Sequence, residues 1–145
     1  MKSTKFAIAS LVFIFLFNIY PGFFYDWFAR FDYFDNILHF LGGFFVAMLI
    51  FSYYNTEFQK NSQMFKLFAL VGMAAGIGVI WEFSEFIANQ VLVDPLYKYF
   101  GIHGYFIGDL NDTISDLLND ILGAISYFSL HFLWSRNSNK RKRLS

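Results

Sequence analysis

One histidine and seven carboxylates carry the chemistry this 145-residue chain could do. Asp35 and His39 stand at i and i+4, so on a helix they share one face, which Gly42 and Gly43 continue. Glu82 and Glu85 stand at i and i+3, with Gly78 and Ala75 behind them on the same stripe and Asn89 ahead. Asp109, Asp112, Asp116, Asn119, Asp120, Gly123 and Ser126 form a third stripe at steps of three and four. Each stripe has acids at one end and small residues deeper. Small residues let helices approach closely in lipid, so the three stripes should face one another and bring their acids together. No Lys or Arg lies on them. Like charges that close cannot all stay ionised unaided. Protonation, a water-filled cavity or a bound cation would relieve them. Oxygen-rich ligation beside one imidazole suits a divalent cation, Mg²⁺, Mn²⁺ or Ca²⁺, with Zn²⁺ as a further candidate.

The candidate metal ligands are Asp35, His39, Glu82, Glu85, Asp109, Asp112, Asp116 and Asp120, with Glu82, Glu85, Asp112 and Asp116 foremost. His39 would be a ligand or a proton carrier, oriented by Asp35. If the site is catalytic, His39, Glu82 and Asp116 are the candidate groups. Plainer roles stand beside these. Asp35 also suits the start of a helix. Asp112 or Thr113 suits an N-cap, with Asp116 reaching back toward it. Asn119 and Ser126 suit hydrogen bonds between helices, Trp81 an interfacial anchor, and His131 a snorkelling side chain.

These residues sit in an unusually apolar chain. Hydrophobic residues make up 57% of it, charged residues 15%, and 22 residues are Phe. Mean hydropathy is +0.43. A soluble domain of this length has too little interior for that much apolar surface. Composition therefore excludes disorder and argues against a soluble enzyme. The absence of cysteine excludes disulfides, thiolate metal sites and a Cys nucleophile.

The pattern predicts an all-α, four-helix integral membrane bundle, a single domain over residues 1–145. The expected spans are about 6–24, 36–54, 65–88 and 113–134, followed by a basic tail at 135–145. No small-x-small cleavage site follows the first run, so that helix should be retained. A span needs about 20 apolar residues. The run Ile121–Trp134 has only 14 and Phe65–Trp81 has 17. Both reach full thickness only if their acidic turns enter the membrane. That is the main sequence argument for carboxylates inside the bundle.

Basic residues set the expected orientation. Nine lie on the side of the termini, at positions 2, 5, 60, 66, 136 and 140–143; only Arg30 and Lys98 lie opposite. Both termini should therefore be on the cytoplasmic side of the cell membrane. The Lys140–Arg143 run should touch anionic lipid rather than nucleic acid. Aromatic residues crowd the outer connections, including Phe23, Phe24, Tyr25, Trp27, Tyr97, Tyr99 and Tyr105, and read as an interface belt with a short helix near 23–33. His103 lies in the second of these loops. The small-residue face at Gly72 and Gly76 allows a homodimer but should also serve packing within the chain.

There is no Gly-rich phosphate loop, no His-Glu-x-x-His and no Gly-x-Ser-x-Gly. The acid series from Asp109 to Asp120 has a spacing like that of membrane CDP-alcohol phosphotransferases. It lacks their Gly and Ala-Arg, with Thr113 at the Gly position, and that likeness is set aside. Asp35-x-x-x-His39-Phe40-x-Gly42-Gly43, Trp81-Glu82-x-x-Glu85, Gly108-Asp109-x-x-Asp112-Thr113-x-x-Asp116 and Gly123-Ala124 together resemble the YjdF-like family of bacterial and archaeal inner-membrane proteins. A looser similarity is to VanZ-like membrane proteins, through the Asp-x-x-x-His helix, the membrane glutamate and the late Asp116…Asn119…Gly123-Ala124; the Arg expected before that Asp is missing. The resemblance implies an integral membrane protein and supplies no reaction. Three roles fit the cluster. It could be a divalent-cation site for a phosphate-bearing lipid or a reactive water. It could be a proton or cation path of a transporter. It could also be interhelical glue in an assembly protein.

Overall fold

A computed structural model describes residues 2–142 except 26, 32, 103, 105 and 107, and their side chains except those of 23, 29 and 137–142. The expectations for His103, Tyr105 and the basic side chains of the tail fall outside the described residues.

Every regular element among the described residues is helical. Helix α1 spans Lys2–Ile19 and runs on into a wider turn, Tyr20–Phe24. Next come the short α2 (Trp27–Arg30), α3 (Phe34–Tyr53), the short α4 (Asn55–Gln59) and α5 (Gln63–Val91). Then follow α6 (Val93–Phe100) and α7 (Leu110–Lys142). Among the described residues, three helices, α1, α3 and α5, are long and apolar enough to cross a membrane. Helix α7 is the longest, but acids occupy its first half and polar and basic residues its last third.

Helix α3 is central, packing on α1, α5 and α7, and α7 also packs on α5. Two reciprocal glycines fix the α3/α7 crossing. A Cβ on Gly43 would run into the main-chain carbonyl of Asp120. One on Gly123 would meet the Phe40 carbonyl and the Phe44 amide. Backbone against backbone is closer than any side chain permits. Gly72 and Gly76 behave otherwise. Both are exposed, and nothing lies within 4 Å of a Cβ at either. The expectation that packing within the chain uses this face is thus corrected: α5 turns Gly78 and Ala74 inward instead.

The apolar core lies at the basic end, away from the carboxylates, and comprises Val46, Ala47, Phe51, Phe58, Leu70, Ala74 and Ala124. Helix α4 folds back so that Phe58 stacks on Phe51, ring centroids 5.6 Å apart. His131 does not snorkel. Its ring lies 4.2 Å from that of Phe51 and is half-buried.

Two connections differ from the expected loops. The segment after α5 forms helix α6, started by Asp94-Pro95 in its first turn and stopped by Gly101 at φ 65°. The aromatics after α1 also do more than line an interface. Trp27 packs its ring against Phe17 at 5.5 Å, Phe31 at 5.4 Å and Phe34 at 5.5 Å, all edge to face. This cluster ties α1, α2 and α3 together, while Phe24, Tyr25, Phe31 and Tyr33 stay exposed.

Candidate functional site

The carboxylate end of the bundle is built around His39. It lies on the second turn of α3 and is buried. Asp120 of α7 lies 3.4 Å from its Nδ1. On the other side of the ring, Nε2 lies 3.8 Å from Asp35 Oδ1 and 3.9 Å from Glu82 Oε1. Asp35, His39 and Asp116 bring one ligand atom each within 4.8 Å of one another, and so do His39, Glu82 and Glu85. Six of the eight expected ligands therefore meet around one imidazole. They come from α3, α5 and α7, whose small-residue stripes do face each other.

The niche around Asp120 explains those stripes. A Cβ on Gly78 would strike its carboxylate, and one on Gly42 would lie 3.7 Å from it. Glycines of two helices thus make room for the carboxylate of a third. Asp120 Oδ2 lies on the Nδ1 side of the ring, and Asp35 and Glu82 lie on the Nε2 side. A carboxylate behind a ligating imidazole orients it in this way in many metal sites. Asp120 lies closer to the ring than Asp35 does, at 3.4 Å from Nδ1 against 3.8 Å from Nε2. Asp35 stands in the first turn of α3, as expected of an acid at a helix start, and its Oδ1 makes no hydrogen bond there.

Asp116 is 2% exposed and Glu82 6%. Asp35 Oδ1, Glu82 Oε1 and Asp116 Oδ1 are buried without a hydrogen-bond partner. Leaving such groups unsatisfied costs about 1–3 kcal/mol each, more when charged.

Asp109 and Asp112 serve differently. Helix α7 begins three residues earlier than expected. Asp109 Oδ1 accepts from the amides of Asn111 at 2.8 Å and Asp112 at 3.1 Å, so Asp109 is the N-cap. Asp112 reaches back instead, its Oδ2 accepting from the Gly108 amide at 3.1 Å. Asp116 takes no part in this cap and points into the site. Asp109→Ala is expected to lower unfolding stability by about 1 kcal/mol, measured by thermal unfolding in detergent, without changing the response to added cations.

Three polar residues escaped the sequence reading. Asn36 Oδ1 accepts from Ser115 Oγ and from Asn119 Nδ2, both at 2.7 Å. Asn119 is thus the interhelical bond expected of it, with partners one position from Asp35 and one from Asp116. Asn18 is buried on α1 and lies near His39 and Asp120. With Ser10 it is one of two small polar residues that interrupt the first apolar run, which was the available signal. Asn89 leaves the site and accepts from the Phe106 amide at 3.1 Å.

Apolar helices around a buried histidine–carboxylate cluster define an all-helical membrane protein with a polar interior at one end. A family model described as "Predicted membrane protein (DUF2238)" matches residues 3–137, and the chain belongs to that family. YjdF is a member, so the match falls on the first of the two families the motifs resemble. The chain is also 31% identical over 127 residues to an uncharacterised protein of Thermotoga maritima. That alignment covers 85% of this chain and 58% of the relative, so the chain spans little more than half the relative's length. No solved structure matches the chain.

Proposed function

We propose that this protein is a four-span membrane protein that holds a divalent cation among α3, α5 and α7. His39 Nε2, Asp35, Glu82 and Asp116 are its ligands, with Glu85 at the rim and Asp120 positioning the imidazole. One observation carries the reading: three buried carboxylate oxygens lack a hydrogen-bond partner, and all belong to side chains gathered around His39. A cation is the partner that satisfies them together, and no Lys or Arg stands on these stripes to do so.

Oxygen-rich ligation beside one imidazole suits Ca²⁺, Mg²⁺ or Mn²⁺. In this reading α7 is the fourth span, carried across by its buried acidic turns. Both termini lie in the cytoplasm, the site faces the outer leaflet, and the basic tail rests on anionic lipid.

The test is elemental analysis of detergent-purified protein by plasma mass spectrometry. Wild type should carry about one equivalent of metal per chain, and Glu82→Gln none, because the ligand charge is lost while the shape is kept. Wild type without metal after reconstitution with Mg²⁺, Mn²⁺, Ca²⁺ and Zn²⁺ would overturn the proposal.

A further inference from the structure

Helices α3 and α7 are fastened to each other at two heights. One fastening is the glycine crossing, where Gly43 meets the main chain of Asp120 and Gly123 meets that of Phe40 and Phe44. The other is a polar clamp nearer the carboxylate end. Asn36 Oδ1 accepts from Ser115 Oγ and from Asn119 Nδ2, both at 2.7 Å. Asn119 Nδ2 also donates to the Ser115 carbonyl at 2.9 Å, which holds its amide in place. From Asn36 to Gly43 on α3, and from Ser115 to Gly123 on α7, is about 10–12 Å along the helix.

The carboxylate cluster lies between these fastenings. His39 falls between Asn36 and Gly43, and Asp116 and Asp120 fall between Ser115 and Gly123. Asp35 is one residue beyond the clamp. A single crossing fixes how close two helices come, but leaves them free to scissor about it. A second contact two turns away removes that freedom and fixes their axial offset. Each clamp residue is also the chain neighbour of a cluster carboxylate: Asn36 follows Asp35, Ser115 precedes Asp116 and Asn119 precedes Asp120. Neighbours on a helix are about 100° apart around its axis, so the clamp holds the same turns from a different face. Asn36, Ser115 and Asn119 are all half-buried, where water competes for such bonds less than at the surface.

We infer that Asn36 is a positioning residue for the cation site, holding α3 and α7, through Ser115 and Asn119, at the offset where Asp35, His39 and Asp116 reach one ion. This rests on the cation reading above. The amide oxygen of Asn suits the task because its two lone pairs accept both bonds without adding a charge beside the carboxylates. Hydrogen-bond partners behind a metal site govern its affinity by fixing where the ligands stand. Here the partner fixes the turns that carry the ligands rather than the ligand atoms themselves.

The test is the Ca²⁺ affinity of the full chain in detergent, measured by calorimetry. Asn36→Leu is close in volume and accepts neither bond. It should weaken binding about 10–100-fold with the stoichiometry unchanged. Ser115→Ala removes one of the two bonds and should weaken binding less, and Ser115→Thr restores the hydroxyl and should recover wild-type affinity. In the Asn36→Leu background, Ser115→Ala should cost nothing further, because the two residues act as one unit. Phe58→Leu is the control. It thins the apolar core at the opposite end of the bundle, so it should lower the unfolding temperature and leave affinity unchanged. With Mn²⁺ as the probe, Asn36→Leu should also broaden the electron paramagnetic resonance lines, since displaced ligands distort the ion's surroundings. Wild-type affinity in both Asn36→Leu and Ser115→Ala would overturn this inference alone. So would an equal loss in Phe58→Leu, which would make affinity follow stability. If Asn36→Leu does not fold, equal affinities of Ser115→Ala and Ser115→Thr overturn it. Absence of Ca²⁺ binding in wild type would overturn the cation reading, and this inference with it.

Discussion

Replacing Asp116 by Asn is expected to remove the part of the protein's thermal stability that depends on a cation. Asp116 is 2% exposed, and one of its oxygens has no partner. Asn has the same shape, so packing is kept while a ligand charge is lost. With cation at about 100 times its Kd, wild type gains about 2.7 kcal/mol of unfolding free energy and the variant gains almost none. In chelator the order reverses. Wild type then carries its full set of crowded acids, while the variant has one charge fewer and unfolds at the same temperature or higher. Unfolding temperatures of both proteins, with Ca²⁺ and with chelator, measure this directly. Equal Ca²⁺ responses in the two proteins would remove Asp116 from the ligand set. Asp120→Asn is predicted to act more gently, weakening cation affinity about 10–100-fold, because the amide oxygen still accepts the His39 Nδ1 proton. Complete loss in that variant would instead put Asp120 in direct contact with the ion.

The second large effect concerns glycines with the same sequence signature and opposite surroundings. Gly43→Ala and Gly123→Ala are expected to destabilise the bundle by about 3 kcal/mol each, at the upper end for overpacking, because the added methyl meets backbone rather than a movable side chain. Helices α3 and α7 would have to separate, and His39 would move from Asp120, so cation affinity should fall with stability. Gly72→Ala and Gly76→Ala meet nothing. Both sit inside α5, where Ala is the better helix former, so these variants should be neutral or more stable by up to about 1 kcal/mol. Unfolding of the four variants in one detergent separates the two pairs. Similar losses at all four positions would mean that α5 uses its outer face, and the α3/α7 contact would lose its special place.

Much of this arrangement was legible from residue type and spacing. Helical periodicity put Asp35 with His39 and Glu82 with Glu85. Small residues beside acids showed which faces must meet, because lipid offers no other reason for glycine there. Short apolar runs at Phe65–Trp81 and Ile121–Trp134 showed that acids must enter the bundle. Those inferences needed only the helical repeat and the thickness of a bilayer, and both are local or universal quantities.

Roles within the cluster were decided by the tertiary structure. Sequence spacing gives a face, about a third of a helix wide, but neither the axial offset nor the rotation of one helix against another. Asp109 and Asp116 belong to the same stripe, yet one caps α7 in solvent and the other is buried against His39. Gly43 and Gly72 look alike in sequence, yet only the first lies where two backbones cross. Asp120 reaches the Nδ1 side of His39 because α7 crosses α3 at Gly43 and Gly123, whereas Asp35 reaches Nε2 from the helix that carries His39 itself. The chain's periodicity thus determined which residues share a face and that three such faces converge. Depth, rotation and separation of the helices decided which atom meets which, because packing between distant segments sets them.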